Sequence, residues 1–63
     1  MGSFAHRLRI MRGERTQEEL AADIGITNSA YAMYERGERI PRDEIKIKIA
    51  SFFGKTVQEI FFD

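Results

Sequence analysis

Apolar residues recur every three or four positions along the 63-residue chain, and glycines separate the segments in which they do so. In the first segment, about residues 3–12, Phe4, Leu8 and Met11 have the spacing i, i+4 and i+7 that places side chains on one face of a helix. Glycines at positions 13, 25, 37 and 54 cut the chain into five short segments. The pattern therefore predicts five short helices.

Two of these helices carry a complete start signal. Thr16 is followed three residues later by Glu19, and Thr56 by Glu59. In such a capping box the hydroxyl and the carboxylate each satisfy one backbone amide that the helix leaves unpaired. We therefore predict that the second and fifth helices begin directly after these threonines.

The second and third predicted helices are separated by only a tight turn. Gly25 is expected to end the second helix with a positive φ, and Thr27 is a preferred residue type for starting the third. Ala21 is small where the two helices would cross, and Tyr31 and Tyr34 are spaced to fill the angle between them. This arrangement predicts a helix-turn-helix.

The fourth segment, with the sequence EIKIKIASFF, is ambiguous because its apolar residues also alternate as in a strand. Ile45, Ile49 and Phe52 instead fit a helical stripe, and the sequence offers no convincing second strand for pairing. We therefore predict a helix here, with Ile47 pointing away from the main stripe.

The net charge is zero, with ten basic and ten acidic residues. This balance argues weakly against nucleic-acid binding, because nucleic-acid-binding domains are often basic. The charges are sorted along the chain, however, with arginines within residues 7–12 and 36–42 and acids within residues 18–23. A basic surface on one side of the domain is compatible with this order.

The composition argues against several other functions. The chain has no cysteine for a disulfide or thiolate site, and the lone His6 has no neighbouring set of metal ligands. No serine has a histidine placed to activate it, so neither an enzyme nor a cofactor site is expected. No apolar run approaches the ~20 residues of a membrane span and no signal peptide is visible, which indicates a cytoplasmic protein that does not associate with membranes.

The chain resembles the phage-repressor-like (Cro/cI, XRE-type) helix-turn-helix family. The matching pieces are TQEELAADIGIT, YERGERIP and KIKIASFFGKTVQEIF in this order, over about residues 4–62. The resemblance implies an all-α, compact five-helix, lambda-repressor-like DNA-binding domain that occupies residues 1–63. Its helix-turn-helix unit is expected at about residues 16–37, and helices 4 and 5, about residues 43–62, are expected to form core and dimer interface.

The resemblance also implies that the third helix enters the major groove of DNA. Matched position by position, the residues expected to contact base edges are Thr27, Asn28, Ser29, Ala32 and Met33. Those expected to contact phosphates are Thr16, Gln17, Arg36, Arg39 and Arg42. An asparagine amide matches the edge of adenine, and helix N-termini suit phosphate.

Two further expectations follow from the resemblance. The family often pairs an arginine of helix 1 with the position of Glu35, and here Arg12 is the preferred partner and Arg9 the alternative. The chain end is rich in apolar residues, which predicts a dimer patch made of Ile47, Val57, Ile60, Phe61 and Phe62.

The function expected from the resemblance is sequence-specific DNA binding by a transcriptional regulator, a homodimeric repressor on a two-fold symmetric operator. Double-stranded DNA and a second copy of the chain are the expected partners, and no small-molecule ligand is evident. The alternative is a protein-interaction module on the same scaffold, such as an antitoxin or an anti-repressor-like partner. RNA binding is disfavoured because no exposed aromatic platform for stacking bases is evident.

Overall fold

The computed structural model describes residues 4–62 of the chain, and this part contains five α helices joined by short turns and loops. They are α1 (Phe4–Arg12), α2 (Gln17–Ile24), α3 (Asn28–Glu35), α4 (Asp43–Phe53) and α5 (Val57–Phe61). The predicted all-α fold is confirmed, including a helix for EIKIKIASFF. The predicted start of the first helix at Ser3 lies outside the described residues. Over residues 4–62, no helix has the length and apolar character needed to cross a membrane.

Both capping boxes form as predicted. Thr16 Oγ1 accepts from the Glu19 N–H at 3.0 Å, and the Thr16 N–H donates to Glu19 Oε1 at 2.8 Å. The equivalent distances for Thr56 and Glu59 are 3.1 and 2.8 Å. Since capping threonines contribute about 1 kcal/mol each, these local bonds define where α2 and α5 begin.

The turn between α2 and α3 is also built as predicted. Gly25 has φ of 93°, in the left-handed region that side chains disfavour, and the N–H groups of Gly25 and Ile26 both donate to the Ala21 carbonyl at 2.9 Å. Thr27 then caps α3 by accepting from the Ala30 N–H at 3.0 Å. The chain therefore changes direction within three residues and starts a new helix.

The five helices share one hydrophobic core. Each contributes at least one large side chain that is at most 1% exposed, namely Leu8, Leu20, Tyr31, Ile49 and Ile60. Half-buried aromatic residues pack around these side chains, and the rings of Phe4 and Phe61 lie 5.5 Å apart where α1 meets α5. The position of α3 is therefore fixed by the whole domain.

One part of the predicted dimer patch is wrong. Ile60 is 1% exposed and belongs to the core, so its side chain is not available to a second copy. Val57 and Phe61 are half-buried and pack against the core, whereas Phe62 is 49% exposed. A five-residue helix with apolar side chains on most positions does not reveal which of them faces inward until it is packed.

Ile47 points away from the core as predicted and is 60% exposed. It lines a groove with Asp23 and Ile24 of α2 and with residues of α4. Phe62 instead lies against Lys46, whose Nζ is 5.0 Å from the ring centroid. The two exposed side chains of the predicted patch therefore have different neighbours.

We expect Gly25→Ala to destabilise the protein by about 1–2 kcal/mol, because an alanine must adopt the left-handed conformation. Among the described residues, and apart from the two chain neighbours, no atom lies within 4 Å of the added Cβ, so the loss comes from the backbone conformation and not from a clash. Thermal unfolding followed by circular dichroism measures this loss, because each kcal/mol lowers Tm by about 4–8 °C. Gly25→Asn is the matched control and should lose less, because asparagine tolerates this region. An alanine variant as stable as the wild type would contradict the account.

Candidate nucleic-acid interface

The outward face of α3 carries the residues predicted to meet DNA. At about 100° per residue, five positions of α3 and its cap fall within an arc of about 140°. They are Asn28, Ser29, Ala32, Met33 and Arg36. The buried side chains of Tyr31, Tyr34 and Glu35 lie outside this arc. The face contains no acidic residue and is therefore suited to approach a polyanion.

The five predicted base-contacting residues differ in their exposure. Thr27, Asn28 and Ser29, at the start of α3, are exposed, whereas Ala32 and Met33 are half-buried. Met33 is not among the half-buried residues that pack against the core within the described chain. The start of α3 therefore offers polar side chains to a partner, and the following turn offers a shallower apolar surface.

Arginines from the loop between α3 and α4 come close to the start of α3. Arg39 and Arg42 line one cleft together with Thr27, although they are more than ten positions away in the sequence. Both arginines are exposed, and Arg42 makes no side-chain bond at the N-terminus of α4. The fold thus joins residues predicted to contact bases to residues predicted to contact phosphates.

Arg36 is also exposed, but its guanidinium is already paired. Its Nε and Nη2 donate to the two carboxylate oxygens of Glu38, each at 3.0 Å. The sequence analysis missed this partner, because periodicity does not report contacts between residues two apart in a turn. The available signal was the glycine between them, which is typical of a turn that brings such neighbours together.

The N-terminus of α2 also differs in detail from the prediction. The Thr16 N–H and the acceptor side of its hydroxyl are used by Glu19, which leaves the hydroxyl hydrogen to donate. Gln17 is half-buried, and its Nε2 donates to Glu35 Oε1 at 3.0 Å. The donors that remain here are therefore main-chain amides of the first turn, which the helix itself leaves unpaired.

A buried ionic cluster ties α3 to the two preceding helices. Glu35 is 1% exposed, and Arg12 donates to both carboxylate oxygens, from Nε at 2.7 Å and from Nη2 at 3.1 Å. Arg9, the alternative partner, donates instead to the main-chain carbonyl of Glu35. Together with Gln17, these bonds link the end of α3 to α1 and to the start of α2.

The ionisation of Glu35 depends on these partners. Burial alone raises the pKa of Glu35, but the hydrogen bonds from Arg12 and Gln17 outweigh it and hold this pKa below its ordinary value. Burial also raises the pKa of Tyr31, whose hydroxyl lies near the same carboxylate. That hydroxyl has no partner of ordinary hydrogen-bond geometry among the described residues. The cluster is therefore charged at neutral pH and fixed by Arg12.

Comparison with known proteins points to one family. A helix-turn-helix family model matches residues 6–60. The chain is 37% identical over 62 residues to the cryptic phage CTXphi transcriptional repressor RstR of Vibrio cholerae, which covers 95% of this chain and 56% of that protein. It is also 37% identical over 46 residues to an uncharacterized HTH-type transcriptional regulator of Methanocaldococcus jannaschii, which covers 73% and 70% of the two chains.

The chain thus spans a little over half the length of the Vibrio cholerae repressor. No solved structure matches the chain significantly.

We expect Glu35→Gln to be less stable than the wild type at pH 7, by about 2 kcal/mol, because Arg12 then bonds to a neutral amide instead of a carboxylate. The difference in unfolding free energy between the two proteins, here called the gap, should narrow as the pH falls. The pKa of Glu35 is lower in the folded protein than its ordinary value of 4.5, so its charge stabilises the fold above pH 4.5. This contribution is lost as the pH falls through the pKa of the folded state. Urea unfolding at pH 7, 5 and 3.5 measures the gap.

Glu18→Gln replaces an exposed acid of α2 and is the control for that comparison. It should stay within about 0.5 kcal/mol of the wild type at pH 7. A Glu35→Gln gap that is constant from pH 7 to pH 3.5 would show that the charge of Glu35 is not what stabilises the cluster.

Proposed function

Because the chain belongs to the phage-repressor-like helix-turn-helix family, we propose that it is a sequence-specific DNA-binding transcriptional regulator. The observation that carries this proposal is the outward face of α3, which is free of acids and lies beside the arginines of the following loop. A helix about 10–12 Å wide with side chains fits the major groove of B-DNA, which is about 12 Å wide. The proposal assigns α3 to that groove.

Base recognition is assigned to the start of α3. The exposed Asn28 amide can donate to N7 of adenine and accept from its N6 amino group. The Ser29 hydroxyl can bond to several base edges. Ala32 and Met33, one turn later, present apolar surface suited to thymine methyl groups. The cap residue Thr27 keeps its hydroxyl hydrogen for a base or a phosphate.

Backbone contacts are assigned to residues on either side of α3. Arg39 and Arg42 are exposed in the cleft next to Thr27, and the first turn of α2 supplies main-chain amides. Such contacts fix the register of the protein on the duplex without reading sequence. We therefore distinguish residues that specify the DNA sequence from residues that position the protein on the duplex.

A homodimer on a two-fold operator fits the small size of this interface. One module covers a few base pairs, and dimers of this motif reach half-sites about 34 Å apart. We assign the dimer contact to Phe62 and the half-buried Phe61 and Val57. Ile60 is left out because it is buried, and Ile47 because it lines a groove with α2 instead. Repression, rather than activation, is proposed by analogy with the Vibrio cholerae relative.

The first test is selection of bound duplexes from a random pool, which supplies the cognate site. On that site Asn28→Ala should lose about 1–3 kcal/mol of binding free energy and relax the preference at one base. Arg39→Ala should weaken cognate and random duplexes equally and reduce the slope of log K against log salt by about 1. Fluorescence anisotropy titrations at several salt concentrations measure both effects.

The two variants serve as each other's control in that experiment. If they lose affinity alike on cognate and random duplexes, the division into specifying and positioning residues is wrong. If the wild type recovers no duplex and shows no salt-dependent DNA binding, the protein-interaction alternative takes the place of the proposal.

The dimer contact is tested with Phe62→Glu, which should keep the helical content but shift the molar mass in solution toward the monomer. Ile10→Glu is the matched control, because Ile10 is an apolar side chain of α1 that is 65% exposed, outside the assigned contact. Sedimentation equilibrium over a range of concentrations measures both. An unchanged association constant for Phe62→Glu, or an equal loss for Ile10→Glu, would refute the assignment.

A further inference from the structure

The pair formed by Arg36 and Glu38 uses the guanidinium in the way that a phosphate would use it. Two parallel N–H···O bonds of 3.0 Å join Nε and Nη2 to the two oxygens of one carboxylate. Arginine forms the same fork with two oxygens of a phosphate. Glu38 therefore occupies the donor edge of Arg36 that a DNA backbone would need.

The backbone holds Glu38 in this position. Beyond the end of α3, the Glu38 N–H donates to the Met33 carbonyl at 3.0 Å and the Gly37 N–H donates to the Tyr34 carbonyl at 3.1 Å. These are the two bonds of a Schellman motif, with Gly37 at φ of 72° as its left-handed residue. The carboxylate is thus presented to Arg36 by a fixed turn.

The pair is exposed enough to be exchanged. The side chains of Arg36 and Glu38 are 54% and 56% exposed. Exposed ion pairs contribute little to folding stability, so opening this one does not endanger the fold. The hydrogen bonds from Arg36 hold the pKa of Glu38 below its ordinary value, and the carboxylate is charged at neutral pH.

We propose that Glu38 is an intramolecular competitor for the DNA phosphate that Arg36 would otherwise contact. The inference rests on the proposed DNA-binding function and deepens it: Glu38 is a positioning residue that acts through Arg36 and sets how many phosphate contacts the protein makes. Phosphates carry no sequence information, so the effect of Glu38 is the same on cognate and random duplexes. The competitor therefore limits sequence-independent affinity while the specifying face of α3 is unchanged.

The experiment compares the wild type, Glu38→Gln, Arg36→Gln and the double variant. Their dissociation constants are measured between 50 and 200 mM salt on two probes, the duplex selected by the wild type and a random 20-base-pair duplex. Glu44→Gln is the matched control, because it removes the same charge from another exposed acid close to the same loop. Circular dichroism melting curves check that all five proteins are folded.

Glu38→Gln is expected to bind both duplexes about two- to fivefold more tightly at 50 mM salt, the range of an exposed charge pair. Its slope of log K against log salt should steepen by about 0.9, the value for one additional phosphate contact. In the Arg36→Gln background the same substitution should give no more than the change seen with Glu44→Gln. This dependence on Arg36 separates a competitor from a general repulsion between an acid and DNA.

Equal gains for Glu38→Gln and Glu44→Gln would overturn the inference alone, and so would a Glu38→Gln gain that persists without Arg36. A Glu38→Gln gain confined to the selected duplex would also overturn it, because it would mean that Glu38 affects base readout. Absence of binding by the wild type on both duplexes overturns the proposed function as well, and the wild-type titration identifies that case before any variant is compared.

Discussion

The buried carboxylate of Glu35 is the constraint on which the helix-turn-helix geometry depends. It is the last residue of α3, and it is bonded through both oxygens to Arg12 of α1 and through one of them to Gln17 of α2. A buried charge is destabilising when its hydrogen bonds are broken, so the cluster favours the arrangement in which these three helices stay in contact. The orientation of α3 relative to the rest of the domain follows from that arrangement.

The proposed DNA-binding surface consists of side chains of α3 that neither the core nor the Glu35 cluster buries. Tyr31 and Tyr34 bury their rings behind α3, and Glu35 anchors its end. The small or polar residues of the remaining arc, such as Asn28 and Ser29, contribute little to the core and are exposed. A helix that served only stability would place larger apolar residues there. The sharp bend at Gly25 allows α3 to turn its polar side outward.

A neutral net charge is compatible with a basic face because many of the acids have local tasks. Glu19 and Glu59 close capping boxes at the N-termini of α2 and α5, and Glu35 is neutralised inside the domain. Glu38, which follows α3, is paired with Arg36 of the proposed DNA-binding face. The charge that matters for a partner is thus the charge left after these pairings, not the sum over the chain.

The helices and the turn could be predicted from the amino-acid sequence alone. Capping boxes, the positive φ of Gly25 and the apolar spacing involve residues within a few positions of one another, so these features are written in the local sequence. The burial of Ile60, the exposure of Phe62 and the bond from the Gln17 amide to Glu35 could not be predicted in this way. Those outcomes depend on which helices pack together, because a side chain distant in sequence takes the space or supplies the partner.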